Sequence, residues 1–159
     1  MSGTAFGGSV TRVTTTQELP LGFQVTVPNG DKGLLTYIYV KASGAVAQYD
    51  MVQRKDSGNE SPQTDYVVEE AAASQQSIAI VGCAQVAIAD GSYGFVLRKG
   101  IATVYGAAAV DHNLPLIMSG TAGQVAHDDD DSDLLSFGQT LGGRDSTAGT
   151  FTAYINCMG

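Results

Sequence analysis

The sequence predicts an all-β protein, a compact sandwich or partly open β-barrel of about eight to ten short antiparallel strands. Three observations predict it. Apolar, aromatic and β-branched residues recur at every second position in separate stretches, most cleanly over residues 93–105 and 151–157. Twenty glycines stand against four prolines, a balance that suits many tight turns. The hydrophobic fraction of 43% in 159 residues is enough for one packed core.

Residues 1–31 differ from the rest. They are rich in Gly, Ser and Thr, and their apolar residues are widely spaced: Phe6, Val10, Val13, Leu19, Leu21, Phe23, Val25 and Val27. No capping box or helical stripe runs through them. Residues 23–27 alternate as a strand, which the turn Pro28-Asn29-Gly30-Asp31 ends. Two readings stand, a floppy terminus and an arm that orders on a partner subunit. The apolar content favours the arm. The chain then divides into an extended N-terminal arm, residues 1–31, and a single β domain, residues 32–159. Residues 1–27 are expected to make contacts between subunits rather than to cover their own core. Phe6, Val10, Val13, Leu19, Leu21, Phe23 and Val25 are the candidate contact residues.

Within the β domain, residues 34–41 form a strand, and residues 45–54 its partner through Ala42-Ser43-Gly44. Residues 55–64 are a polar loop. Residues 65–74 are ambiguous: Tyr66-Val67-Val68 favours strand, and Glu69-Glu70-Ala71-Ala72-Ala73 favours a short helix. The nearly all-apolar run 77–89 suggests a strand buried on both faces and bent at Gly82. Residues 90–106 read as two short strands joined at Lys99-Gly100. Tyr93, Phe95 and Leu97 share one face of the first, and Ile101, Thr103 and Tyr105 alternate with Ala102 and Val104 in the second. Strands 114–118, 134–141 and 150–158 follow, with an acidic loop at 127–133 and a turn at Gly142-Gly143-Arg144-Asp145. In the last strand Phe151, Ala153, Ile155 and Cys157 should point inward, and Thr152, Tyr154 and Asn156 outward.

The charge pattern narrows the partners. Sixteen acids against eight bases give a formal net charge of −8, and only Arg54-Lys55 and Arg98-Lys99 are adjacent basic pairs. Binding to a phosphate backbone needs clustered positive charge, so nucleic acid and anionic membranes are not expected partners. No apolar run has the length of a membrane span, and no basic segment followed by an apolar core opens the chain. The expected place of assembly is a cytoplasm. Cys83 and Cys157 read as small buried hydrophobes, with a disulfide between them the alternative.

Catalytic and metal-binding patterns are weak. His127 heads Asp128-Asp129-Asp130-Asp131-Ser132-Asp133, a carboxylate run that reads as a solvated, self-repelling loop or, alternatively, as a Ca²⁺ site lacking EF-hand spacing. His112 and His127 would need two further ligands to hold Zn²⁺. There is no G-x-S-x-G elbow, and Gly142-Gly143-Arg144 lacks the lysine of a phosphate loop. Paired acids of a hydrolase are set by space, not spacing, and sequence leaves them open. The absence of tryptophan argues against a sugar-stacking cleft. No catalytic residue, metal or cofactor is assigned, and the expectation is a protein that is not an enzyme.

Asp90-Gly91-Ser92-Tyr93-Gly94-Phe95-Val96 followed by Lys99-Gly100-Ile101-Ala102-Thr103-Val104 resembles the central segment of the cement, or head decoration, proteins of tailed bacteriophages. Residues 37–42 and 45–52 look like that family's opening hairpin. Residues 114–118, 123–126 and 136–141 are similar to its closing half, and residues 149–157 to its last strand. The resemblance covers about 120 of the 159 residues. It implies a structural virion protein on the outer capsid surface, which clamps neighbouring copies of the major capsid protein and often acts as a homotrimer. The long N-terminal arm and the His127–Asp133 loop depart from the family pattern. A carbohydrate- or receptor-binding β module displayed on a virion, using residues 55–64 and 107–113, is the alternative.

Overall fold

The structure is a computed structural model, and it describes residues 8–55, 64–129, 135–144 and 147–159. Ten strands follow the alternating segments: β1 (Gln24–Pro28), β2 (Leu34–Ala42), β3 (Met51–Arg54), β4 (Val67–Glu70), β5 (Ile80–Cys83), β6 (Tyr93–Gly106), β7 (Pro115–Met118), β8 (Val125–His127), β9 (Gly138–Thr140) and β10 (Gly149–Asn156). Only two 3-10 turns, Gly30–Lys32 and Ser77–Ala79, break the pattern among the described residues. The protein is all-β, as its alternation predicts.

The strands pair in the order β1-β2-β4-β3-β5-β6-β10-β9-β7-β8, with further pairings of β2 to β6 and of β6 to β8. These extra pairings close two circuits that share β6. One runs β2-β4-β3-β5-β6, the other β6-β10-β9-β7-β8. Each is closed by very short contacts. In the first, β2 meets β4 in parallel only at Lys41–Val67 and Ala42–Val68, and β5 meets β6 only at Cys83–Leu97. In the second, β8 meets β6 at Gly106–Val125. The result is a partly open barrel and not a regular one.

Two apolar clusters fill it. Ile38, Val40, Ala42, Val46, Val52, Val68, Val81, Ala84, Ile88 and Val96 form the smaller one, on one face of the first circuit. The opposite face of the same strands contributes Tyr37, Tyr39, Met51, Cys83, Phe95 and Leu97 to the larger cluster. Ala102, Val104, Leu116, Met118, Val125, Phe137, Phe151, Ala153, Ile155 and Cys157 join them there from the second circuit. The middle of β2, all of β5 and the first half of β6 are thus buried on both faces, the reason residues 37–40, 80–83 and 94–97 do not alternate with polar residues. In β10 burial alternates as expected, with Phe151, Ala153 and Ile155 inside, and Cys157 just beyond the strand is buried too.

Four expectations are corrected. Residues 90–106 are one 14-residue strand and not a hairpin. Gly100 has φ +125°, but it bends a continuing strand instead of reversing it, and a Cβ there would stand 2.6 Å from the Leu34 carbonyl oxygen. The strand continues because each half has its own partner, β2 for the first and β10 for the second. Second, β2 and β3 do not form a hairpin: β4 lies between them. Third, the run 77–89 is a 3-10 turn and a four-residue strand, after which Ile88 bridges back to Val46. Residues 80–83 are buried on both faces as predicted, and Gly82 lets Leu97 O approach, since a Cβ would come within 2.6 Å of it. Gln85, which interrupts the apolar run, has a structural task. Its Nε2 donates to Thr103 O at 2.9 Å and its Oε1 accepts from Thr103 N at 3.3 Å, which satisfies the unpaired edge of β6.

The fourth correction concerns residues 1–27. The described part of this segment covers its own domain. β1 pairs with β2 from Gln24–Ile38 to Pro28–Leu34, and Val25 and Val27 are buried in the larger cluster. Val10, Leu19, Leu21 and Phe23 pack against that cluster, and Val13 against the smaller one. Apolar side chains spaced along an extended chain can lie on a sheet as easily as on another subunit. The edge of β2 was free to receive them.

Candidate interaction surfaces

The N-terminal segment is tied down by backbone hydrogen bonds. Thr14 and Tyr93 exchange a pair, at 3.0 and 2.8 Å, and Gly22 N donates to Tyr39 O at 2.8 Å. Glu18 N donates to the Tyr39 hydroxyl at 3.2 Å, and Arg12 pairs with Glu18 at 2.7 Å. The Arg12–Glu18 pair is exposed and holds little energy. Beneath it Tyr39, Tyr93 and Phe95 form an aromatic group. The Tyr39 and Tyr93 rings are stacked with centroids 6.3 Å apart, and Phe95 tilts against Tyr39 at 5.1 Å. Gly8, Ser9, Arg12, Thr14, Glu18 and Leu19 rim a small cleft over Tyr39 and Phe95. Of the candidate contact residues, Phe6 lies outside the described residues. Val10, Val13, Leu19, Leu21 and Phe23 are half-buried, and Val25 is buried.

A second surface was not singled out by the sequence. On β6 and β10 the outward residues are Lys99, Ile101, Thr103 and Tyr105, opposite Asn156, Tyr154, Thr152 and Thr150. Neither strand contains an Asp or Glu, although the chain has sixteen. At the end of this face, Arg98 is the extra residue of a bulge, since Thr36 opposes Lys99 and Tyr37 opposes Leu97. Its Nη2 donates to Met158 O at 3.4 Å, and its buried Nη1 has no hydrogen-bond partner. A basic pair in the sequence was the only available sign of this position.

The remaining chemistry-bearing residues do not assemble. The His127 Nδ1 accepts from Asp111 N at 3.1 Å, which leaves Nε2 3.4 Å from Asp129 Oδ2. Asp130, Asp131 and Asp133 lie outside the described residues, and so do residues 56–63 of the polar loop. His112 is exposed. Among the described residues no three of His, Cys, Asp and Glu are grouped as metal ligands would be. Cys83 and Cys157 are free thiols, fully buried. Burial pushes the Cys157 thiol up to about 12 and the Cys83 thiol higher still, so neither is a thiolate at neutral pH. Asp50 sits beside Glu70 at the end of a groove lined by Val13, Ala45, Ala47, Ala87 and Ala89. Partial burial, and then repulsion from Glu70, raise the Asp50 carboxyl above its ordinary value.

No protein-family model matches the chain, and no curated protein matches its sequence. Its fold is similar to that of the head fiber gp8.5 N base of bacteriophage phi29, with a TM-score of 0.53 and 15% identity over 77% of this chain and 94% of that one. At this identity the likeness is one of fold.

Proposed function

We propose that this protein is a structural component of a phage virion, bound to the outer surface of the head, where it reinforces the capsid lattice. The observation that carries the reading is the fold shared with a phage head fiber base over most of both chains. The resemblance of residues 90–104 to head decoration proteins supports it independently. Its action is binding without chemistry: a protein that binds the assembled lattice and not its separated subunits stabilises that lattice by mass action. Many identical contacts around the shell add through avidity. The partner is the major capsid protein, and a homotrimer is the assembly state that the family resemblance implies. The net charge of −8 suits the outside of a shell better than contact with packaged DNA.

The test is co-sedimentation with heads that lack the protein, followed by heating or osmotic shock. Decorated heads should survive conditions that break undecorated ones. Co-sedimentation without any gain in resistance would favour a second reading, an anchor that displays a binding module on the head. The name of the structural neighbour, the base of a fiber, supports that alternative.

A further inference from the structure

We propose that the cleft across the bend of β6 binds a single neutral sugar unit of hexose size, held through its hydroxyl groups. The site goes beyond head binding and does not depend on it. The cleft holds about 210 Å³ between the Gly30–Lys32 turn and strands β2, β6 and β10. Its apolar wall is Leu35, Leu97 and Ile101. Leu97 and Ile101 come from the two halves of β6, which the bend at Gly100 brings to one concavity. Five polar side chains line it as well: Asn29, Lys32, Tyr37, Thr103 and Thr152. Among the described residues, none of the five has a hydrogen bond or an ion pair through its side chain. Tyr37 is the decisive residue. It is only 8% exposed, yet its hydroxyl has no partner there. That hydroxyl is still open to the cleft: among the described residues, the only side-chain polar atoms sealed from water without a partner are on Ser77 and Arg98. A polar group set this deep is normally paired, and a ligand that supplies the partner displaces no bond within the protein.

The chemistry of the occupant follows. Three hydroxyls and one amide each donate and accept, as the hydroxyls of a sugar ring do. Burial raises the Tyr37 hydroxyl above its ordinary pKa, so it keeps its proton at neutral pH. A carboxylate or phosphate only accepts, and it would leave the acceptors of the cleft unused. Asp31 next to Lys32 and the net charge of −8 also oppose an anion. The volume lies below the roughly 300–1,000 Å³ of sites for drug-sized ligands, which limits the occupant to one ring. The chain has no tryptophan, so the ring is held by hydrogen bonds and by its C–H face on the aliphatic wall, not by stacking. One such site is weak, and copies repeated on one particle add through avidity.

The experiment is an amide NMR titration of the full chain with glucose, galactose, mannose and N-acetylglucosamine, each to about 100 mM, a range that reads millimolar binding. At least one should shift the amides of Leu35, Ile101 and Thr152 saturably, with the amide of Asp50 unmoved. Tyr37→Phe and Thr152→Val should each weaken that binding about threefold or more. Thr150→Val, on the same strand and outside the cleft, should not. Tyr37→Phe should keep the wild-type melting temperature, because the hydroxyl it removes has no partner within the protein. If no sugar shifts the cleft amides, or if both cleft variants bind as the wild type does, the inference is overturned. Tighter binding of glucuronate than of glucose would give Lys32 a carboxylate and overturn the neutral ligand. No arm of the test uses heads, so a failure of the head-binding reading is separate from a failure here.

Discussion

Along β6, residues 94–97 are all buried, whereas from Lys99 to Gly106 burial alternates residue by residue. The first half has Val96 against the smaller apolar cluster and Phe95 and Leu97 against the larger one. The second half has Ala102 and Val104 inside and Ile101, Thr103 and Tyr105 half-exposed. Between the halves lies the bulge at Arg98. It shifts the parity: odd-numbered residues face the larger cluster before it, and even-numbered residues after it. The extra residue thus decides which residues of the second half point inward, and it leaves Ile101, Thr103 and Tyr105 on the half-exposed face. Stability should be concentrated around the first half and binding around the second.

The largest expected effect comes from uncovering the first half. Deleting residues 1–27 removes two buried valines, Val25 and Val27, and the half-buried Leu19, Leu21 and Phe23. At about 1.5–3 kcal/mol for each side chain when fully buried, the loss approaches the whole stability of a domain. The truncated protein should lose cooperative unfolding in a calorimeter. A truncated form that melts like the full chain would show that this segment covers nothing essential.

Single core substitutions come next. Ile38 and Ile155 are fully buried, one in each cluster. Ile38→Ala and Ile155→Ala should each cost about 2–5 kcal/mol in denaturant unfolding. Ile101→Ala, on the outward face of the second half, should cost less than about 1 kcal/mol. Equal losses at Ile38 and Ile101 would erase the distinction between the halves.

The hinge between them is smaller in effect and more specific. Gly100→Ala places a Cβ 2.6 Å from the Leu34 carbonyl in a backbone with φ +125°. Strain of this kind costs about 1–3 kcal/mol. Gly120→Ala meets no atom within 4 Å and serves as the comparison. If both substitutions leave the melting temperature unchanged, the bend at Gly100 is not needed.

The smallest effect is a pH slope. Desolvation, and then Glu70, raise the folded-state pKa of Asp50 above its ordinary value. The folded state then binds a proton more tightly than the unfolded state, so this group makes stability fall as pH rises from the ordinary carboxylate value through the raised one. Asp50→Asn keeps an acceptor for the Ala47 hydrogen bond and removes the titrating charge. The slope in that window should flatten, and stability at neutral pH should stay level or rise slightly. A steeper loss of stability toward acid in the wild type would reverse the sign and refute the assignment.

Much of the fold was legible because burial on a strand leaves a period-two trace. The inward set of β10 and the strand at 34–41 were each read from local pattern alone, and the apolar run 77–89 was read as buried although only residues 80–83 of it form a strand. The cysteines were also read as buried from their apolar company. The N-terminal contact residues were recognised as apolar and extended, but the surface they would meet was not. Val25 could lie equally well on its own sheet or on a neighbour's, because a strand's hydrogen bonds and side chains are the same in both cases. The surroundings of Arg98 were not legible for a related reason. Arg98 is followed in sequence by Lys99 and looks like an ordinary basic pair. Only the arrival of Met158 and the 3-10 turn from distant parts of the chain isolates its Nη1.

What the sequence determined by itself is the all-β class, the position of most strands and which residues of each strand are apolar, since these depend on neighbours two positions away. The tertiary structure decided which strands pair, and so whether Gly100 is a turn or a bend. A glycine at positive φ is compatible with a reversal and with a bulged, continuing strand. The chain continues because β2 and β10, from opposite ends of the sequence, each bring a paired edge to one half of β6.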